Sequence, residues 1–482
     1  MAGLAAAWAL ARRQVSVCLL EGRRRVGGRA GSFSDTAAGA EVDYCQHVAM
    51  GCCTNFLWWM QQCELKDQFS RHETLRLFDP QGRSADLSPN FCWPAPLHFA
   101  AAVGKLSFLT RRQQREIRRA MWRLMRTPAA PDRQPSMQQW LVRQRQSPET
   151  IKNFWDVVLV SALGELTSRV GYAAARKVFI DGFLAAQHAA DVWIPKPPLA
   201  DLFGGRLANL LRALGVQLHT GTSARSVNFS HARLQGVCVG NGVLAAEHVI
   251  LAVPWHGLER LVRGTAAEAA IPRLREITTM PASPISGIHL WFDRPITDRS
   301  HSVLVGGLAQ WLFRPDPTQT GASRTENRVQ PQPHAAQIPK SDREHGDEPQ
   351  HYFQVVVSAS HDLRGRKAED VIAEILAELR IHFPAANDAR LLRSRIVTDP
   401  NSVFSVQPAY EAIRPSAQTD LPQLHLAGDY TATGWPATME GAVISGFIAA
   451  DRVLRAMGEE AFNLQPPLPR GRLARWLIRE RR

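Results

Sequence analysis

The sequence predicts an α/β fold in which a Rossmann-like dinucleotide-binding domain, missing its first strand, is interleaved with an α+β second domain. Three observations predict it. Near the start, the Ala-rich stretch LAAAWALARR (residues 4–13) reads as a helix and leads into an apolar strand, residues 15–20, closed by Glu21. Near the end, a short apolar strand (residues 424–427) runs into Gly428-Asp429 and then into a helix with apolar residues at Val443, Ile444, Phe447, Ile448, Val453 and Leu454. The whole chain has 482 residues, 45% apolar and 21% charged, and is too apolar to be disordered and long enough for two or three domains.

The N-terminal elements form the second half of a β-α-β unit. Gly3 stands where the last phosphate-loop glycine belongs, and Glu21, 18 residues on, is placed to accept hydrogen bonds from an adenosine ribose. No strand precedes the helix, so the sequence leads to the expectation that Met1 is a late start. Gly27-Gly28-Arg29 follows the acid. Paired glycines let the backbone approach a pyrophosphate and a forked arginine neutralises it, although a Gly-rich surface turn would read the same way.

The C-terminal run GDYTATGWPATMEGA is the more specific signal. A strand, a glycine-acid pair and a helix opening at a second glycine, Gly441, direct a positive helix end at an electron-rich group. A flavin ring, which gains negative charge on reduction, is such a group. Together, EGRRRVGGRA near the start, residues 222–229 followed by VILAVP (249–254), and AGDYTATGWPATMEGAVISG near the end resemble the FAD-dependent amine oxidase and phytoene desaturase superfamily. Within it, DYCQH (43–47), GCCTNF (51–56) and GWPATMEGA resemble the squalene-associated desaturases, the hydroxysqualene dehydroxylases of hopanoid biosynthesis.

The resemblance implies FAD as cofactor and assigns residues. Gly3, Glu21, Gly27, Gly28 and Arg29 would serve the ribose and pyrophosphate, and Val227 would offer its backbone to the adenine. Gly428 and Asp429 would hold the ribityl and pyrophosphate region, with Trp435, Thr438, Met439 and Glu440 along the isoalloxazine ring. The implied reaction is reductive dehydroxylation of a C30 isoprenoid, hydroxysqualene, to squalene. It needs a proton donor and an apolar tunnel, and the candidate polar pair is Gln46 and His47, with His47 either donating the proton or only bonding backbone beside the flavin. The alternatives are a carotenoid-type desaturase, an amine oxidase with an aromatic cage, and an isoprenoid-binding protein without flavin.

By order along the chain, residues 1–60, 205–265 and 421–456 would form the cofactor domain and 61–204 with 266–420 the substrate domain. Gly204-Gly205-Arg206 is expected to precede a helix over 207–214. Residues 315–350, with six prolines and few large apolar side chains, read as a mobile insertion or else as a lid. Seven scattered cysteines without a C-x-x-C pair predict a cytosolic thiol protein with no metal site, in which Cys45, Cys52 and Cys53 fill core space.

The net charge of +13 is concentrated. Arg111 to Arg126 nets +6 and residues 470–482, from Arg470 onward, net +5, so these two segments hold 11 of the 13 excess charges. Ile117, Met121, Leu124 and Met125 recur at helical spacing in the first, and Leu473, Trp476 and Leu477 lie on one face of the second, a tail spanning 462–482. This pattern predicts docking on an anionic membrane surface, with the first segment open to the alternative of a solvated helix face. No recognition fold or stacking aromatic series accompanies the arginines, so nucleic acid is not expected as a partner. The expected location is cytoplasmic, peripheral on the inner face of the cell membrane.

Overall fold

The computed structural model describes residues 1–35, 40–129, 135–230, 233–315 and 350–480. All but the ends of the expected insertion at 315–350 lies outside the described residues, as do Arg481 and Arg482.

The N-terminal helix, Ala2–Ala11, is buried on almost every side. A helix apolar all round belongs in a core, and this one is the centre of the cofactor domain. On one side the strand Cys18–Glu21 pairs in parallel with Gln217–Thr220. On the other, Val249–Leu251 pairs in parallel with Leu424–Leu426. Among the described residues no strand joins the two pairs. Gly3 spans them, since a Cβ there would stand 3.2 Å from the Cβ of Ala252 and 3.5 Å from Leu19.

The helix Met439–Ala456 packs along the N-terminal helix, and at Gly446 the two backbones meet: a Cβ would fall 2.2 Å from the carbonyl oxygen of Ala2. Aromatic rings then lock four pieces of chain together. Trp8 meets Trp58 edge-on at 5.7 Å, Phe447 at 6.0 Å and Phe462 at 6.3 Å, so the N-terminal helix, the helix Thr54–Gln62, the helix Met439–Ala456 and the C-terminal segment share one cluster. Such pairs add about 0.5–1.5 kcal/mol each beyond the area they bury.

The second lobe is built on a seven-stranded sheet in the order Leu391–Phe404, Ala282–Phe292, His351–Ser358, Trp311–Phe313, His301–Leu304, Leu75–Phe78 and Ser84–Leu87. It draws strands from both 61–204 and 266–420. Its longest strand, Leu391–Phe404, carries Arg393, Arg395, Asp399 and Pro400 and lies at the sheet edge, half exposed. The strands Ala224–Ser230, Arg233–Val239 and Gly242–Ala245 form a separate antiparallel sheet.

Three expectations are corrected. Gly204 and Gly205 do not precede a helix; they lie inside a wide-turned helical run, Ala200–Leu207, that continues as Ala208–Ala213. The C-terminal helix opens at Met439 with Thr438 as its cap, not at Gly441. The apolar side of the basic helix Arg111–Arg126 faces the core, where Ile117 and Leu124 are fully buried, and Leu477 of the helix Arg472–Leu477 is buried as well. Only Trp476 of the predicted C-terminal apolar face stands well out of the surface, 74% exposed. Among the described residues no helix is long and apolar enough to cross a membrane.

Gly446→Val tests the contact between the two ends of the chain. Its side chain must displace backbone, and overpacking of this kind costs about 1–3 kcal/mol. The expected outcome is a lowered thermal midpoint together with loss of bound flavin absorbance; an unchanged midpoint contradicts the packing described here.

Candidate active site

The loop after Glu21 is shaped by its glycines. Gly27 has φ +115°, and a Cβ there would lie 2.5 Å from the carbonyl oxygen of Ala30. Gly28 has φ +64° with nothing within 4 Å of where a Cβ would be, so the backbone here borders open space. Arg29 leaves this loop and crosses to the other end of the chain. Its guanidinium donates to Asp429 Oδ1 at 2.5 Å and to the Ser402 carbonyl at 2.8 Å, and it lies 5.7 Å from the Trp255 ring. Glu21 accepts from the Arg23 amide at 2.8 Å.

The Gly428 amide donates to Ser445 Oγ at 2.8 Å, and a Cβ on Gly428 would strike the Tyr430 ring at 2.3 Å. The loop that follows is organised by Arg414, which is 6% exposed and was not anticipated from the sequence. Its guanidinium donates to the carbonyls of Asp429 (3.1 Å), Tyr430 (3.3 Å), Thr431 (2.6 Å) and Trp435 (2.5 Å), and pairs with Glu411 at 3.0 Å. A planar five-donor group suits such a fan of carbonyls, which a lysine could not reproduce.

Thr438 caps the helix Met439–Ala456 by accepting from the Gly441 amide at 3.1 Å. Glu440, in the first turn of the same helix, reaches across to another element. Its carboxylate, fully buried, accepts from the amides of Asn55 (3.0 Å) and Phe56 (2.7 Å) and from Asn55 Nδ2 (3.0 Å), so it caps the helix Thr54–Gln62. Burial raises its pKa and these bonds oppose that shift. Asn55 in turn exchanges hydrogen bonds with the backbone of Gln465. Trp435 carries a cation: the Lys177 ammonium lies 4.4 Å from its ring centroid and is paired with Asp181 at 2.9 Å. Asp181 also binds Arg470 at 3.1 Å.

His47 and Gln46 lie beside this assembly. His47 Nδ1 is 3.0 Å from the Cys45 carbonyl, an acceptor only, so the bond places the proton on Nδ1 and leaves Nε2 as an acceptor. Burial, with help from Arg29, lowers the His47 pKa and favours the neutral ring. Gln46 and Asp43 line a shallow cleft shared with Lys196, Tyr352 and Gln354. Asp43 accepts from Ser32 Oγ at 2.6 Å and from the Leu199 amide at 2.8 Å, and burial pushes its pKa up to about 7. Val227 sits mid-strand opposite Val237, its side chain in the same buried cluster as Val249 and Trp255.

Cys52 and Cys53 are buried thiols, and Cys45 is half-buried. Glu73, His188 and Asp191 converge closely enough to suggest a cation site. Their cation is already there: Arg71 Nη2 lies 3.1, 2.7 and 2.5 Å from the three.

The residues fit FAD. Open backbone at Gly28 next to a guanidinium suits a pyrophosphate, Glu21 at a strand end suits a ribose, and the capped helix at Thr438 faces the same assembly. A dinucleotide fold joined to a sheet-built second lobe in this way defines an FAD-dependent oxidoreductase. The chain belongs to the flavin containing amine oxidoreductase family, which it matches over residues 1–454. It is similar to 15-cis-phytoene desaturase of Synechococcus elongatus, 25% identical with 95% of each chain covered, and to the probable zeta-carotene desaturase of that organism, 23% identical with 95% and 97% covered. Its fold is that of an oxidoreductase from Methanosarcina mazei (TM-score 0.65, 16% identity, 95% and 98% covered) and of cyclohexylamine oxidase from Brevibacterium oxydans (TM-score 0.64, 15% identity, 95% and 97% covered).

Two variants test the geometry. Glu440→Ala leaves the buried amides of Asn55 and Phe56 without acceptors, at a cost of about 1–3 kcal/mol for each unsatisfied group. Calorimetry is expected to show the drop, and an unchanged midpoint contradicts the clamp. Asp43 is protonated more readily folded than unfolded, so its contribution to stability is complete below the ordinary carboxylate range and lost as pH rises to about 7. Thermal midpoints measured between pH 4 and 7 are therefore expected to fall less steeply in Asp43→Asn than in the native protein.

Proposed function

We propose that this oxidoreductase acts on a C30 isoprenoid, reducing hydroxysqualene to squalene in hopanoid biosynthesis. The observation that carries the reading is the Lys177 ammonium over Trp435. An amine oxidase needs free aromatic faces for a cationic amine. Here the tryptophan face next to the capped helix is taken by the chain's own cation, which repels a second one and leaves a neutral hydrocarbon unaffected. The similar chains named for phytoene and zeta-carotene support a long isoprenoid, and the motifs at 43–47, 51–56 and 435–442 support the C30 alcohol.

In this reaction an allylic carbon–oxygen bond breaks, the oxygen takes one proton and leaves as water, and the carbon gains a hydride. Reduced FAD, when bound, supplies the hydride and is oxidised by two electrons. The chain's own groups handle the hydroxyl. Neutral His47, with Nδ1–H held by the Cys45 carbonyl, offers Nε2 to accept from the substrate hydroxyl, and Gln46 beside it can donate. Asp43, with a pKa near 7, is the acid of this cleft that retains a proton near neutral pH.

A second reading, desaturation of a carotenoid precursor, is favoured by the full-length similarity to the desaturases. The oxidation state separates the two. Anaerobic holoenzyme, reduced stoichiometrically and mixed with hydroxysqualene, is expected to regain oxidised flavin absorbance as squalene appears. Failure of the reduced enzyme to turn over, with double bonds introduced into phytoene by the oxidised one, replaces the proposal with the second reading. His47→Ala is expected to keep FAD and lose at least about tenfold in rate, on the scale of a lost positioning bond; full turnover dismisses its role.

A further inference from the structure

The two arginine-rich segments, remote in sequence, fold onto each other. Arg126, near the end of the helix Arg111–Arg126, donates to the carbonyls of Trp476 and Leu477 at 3.4 and 3.5 Å, and the Arg479 amide donates to the Met125 carbonyl at 2.8 Å. Ala474 and Ile478 sit beneath, buried with Met125, Ile180 and Leu184. The contact leaves two large indoles outside, Trp122 at 46% and Trp476 at 74% exposure, with the Arg126 guanidinium 6.0 Å from the Trp122 ring and bonded to the Trp476 backbone.

Around Trp122 the helix is cationic. Arg115, Arg118 and Arg119 lie seven, four and three residues before it, on the same exposed side, and Arg123 follows. Next to them a surface cleft of about 450 Å³ is lined by Arg112, Arg115, Arg119 and Arg145. Its one acid, Glu116, is used up by Arg112, Ser147 and Thr150. Arg145 has φ +58°, a conformation usual for glycine or asparagine, yet the residue there is an arginine that lines the cleft.

We propose that this surface docks on an anionic phospholipid bilayer, with lipid phosphates in the arginine cleft and Trp122 and Trp476 at headgroup depth. Indoles prefer the interface because one end is apolar and the other polar. Arginines pair with phosphate through a fork of donors. Neither apolar helix face is available for deeper insertion, since both are packed inward, so the attachment is shallow and charge-driven. The inference is independent of which substrate the enzyme takes.

The test uses the full-length FAD-loaded protein and co-sedimentation with phosphatidylcholine vesicles, with and without about 30 mol% phosphatidylglycerol, at low and high salt. Binding is expected only with the anionic lipid and is expected to weaken with salt. The triple change Arg115→Gln, Arg119→Gln, Arg145→Gln is expected to lower partitioning roughly a hundredfold, at about a decade or somewhat less per cation. Trp122→Ser with Trp476→Ser is expected to lower it further, and flavin absorbance and thermal midpoint in every variant report that the fold is intact. Three results overturn the proposal: equal partitioning of the folded variants, binding of duplex RNA with no binding of vesicles, or saturation of the cleft by inorganic phosphate without vesicle binding.

Discussion

Everything in the cofactor domain depends on the closeness of two helices from opposite ends of the chain. The glycine at 446 lets the helix Met439–Ala456 rest against the carbonyl of Ala2, and the small residues of the N-terminal helix keep the surfaces flush. Only with the backbones this close do the loops that follow each helix or strand come within reach of one another. Arg29 and Asp429 then pair across 400 residues of sequence. Such a pair does little for net stability, because the desolvation of two charges offsets most of their attraction. What it supplies is register: half a site on the first loop and half on the last are held at hydrogen-bond distance, and a shift of either helix would leave a charge buried alone.

How much of this was legible in the sequence depends on how local each signal was. Gly3, Glu21, the Gly27-Gly28-Arg29 turn and the 428–440 run could be singled out because each signal is contained in a few consecutive residues. Arg414 could not. A lone arginine beside Pro415 looks solvated, and its fan of carbonyl acceptors exists only once the loop from Asp429 to Trp435 has folded back over it. The hydrogen bonds of Glu440 were hidden for a related reason. An acid in a helix's first turn is ordinarily explained by that helix's dipole, yet its carboxylate caps a different helix, one that begins almost 400 residues earlier. The long strand Leu391–Phe404 was hidden by its composition, since an edge strand half open to water carries arginines, an aspartate and a proline where a buried strand would carry valine.

Amphipathic patterning also has a limit, which the basic helix shows. Periodicity at 117, 121, 124 and 125 says that one side is apolar; it does not say what covers it. In the folded chain the covering is protein, and the charged side is the one left to solvent. The consequence is a reversal of which residues could meet a lipid surface. The wetted arginines and two indoles face outward, and the leucines and isoleucine that suggested the interaction do not take part.

Lys177 draws the two halves of the molecule into one electrostatic account. An ammonium beside a tryptophan ring is stable only if its charge is balanced without being pulled off the ring, and Asp181, one helical turn on, does this at 2.9 Å. Asp181 is not left to Lys177 alone, because Arg470 holds its other oxygen. The acid therefore stands between the C-terminal segment, which continues into the helix bearing Trp476, and the ring of Trp435 next to the capped helix. Removing Arg470 would leave Asp181 to draw Lys177 more strongly and weaken its hold on the indole. The C-terminal segment thus helps set the charge beside Trp435, and on the proposed reading that charge favours a neutral hydrocarbon over an amine.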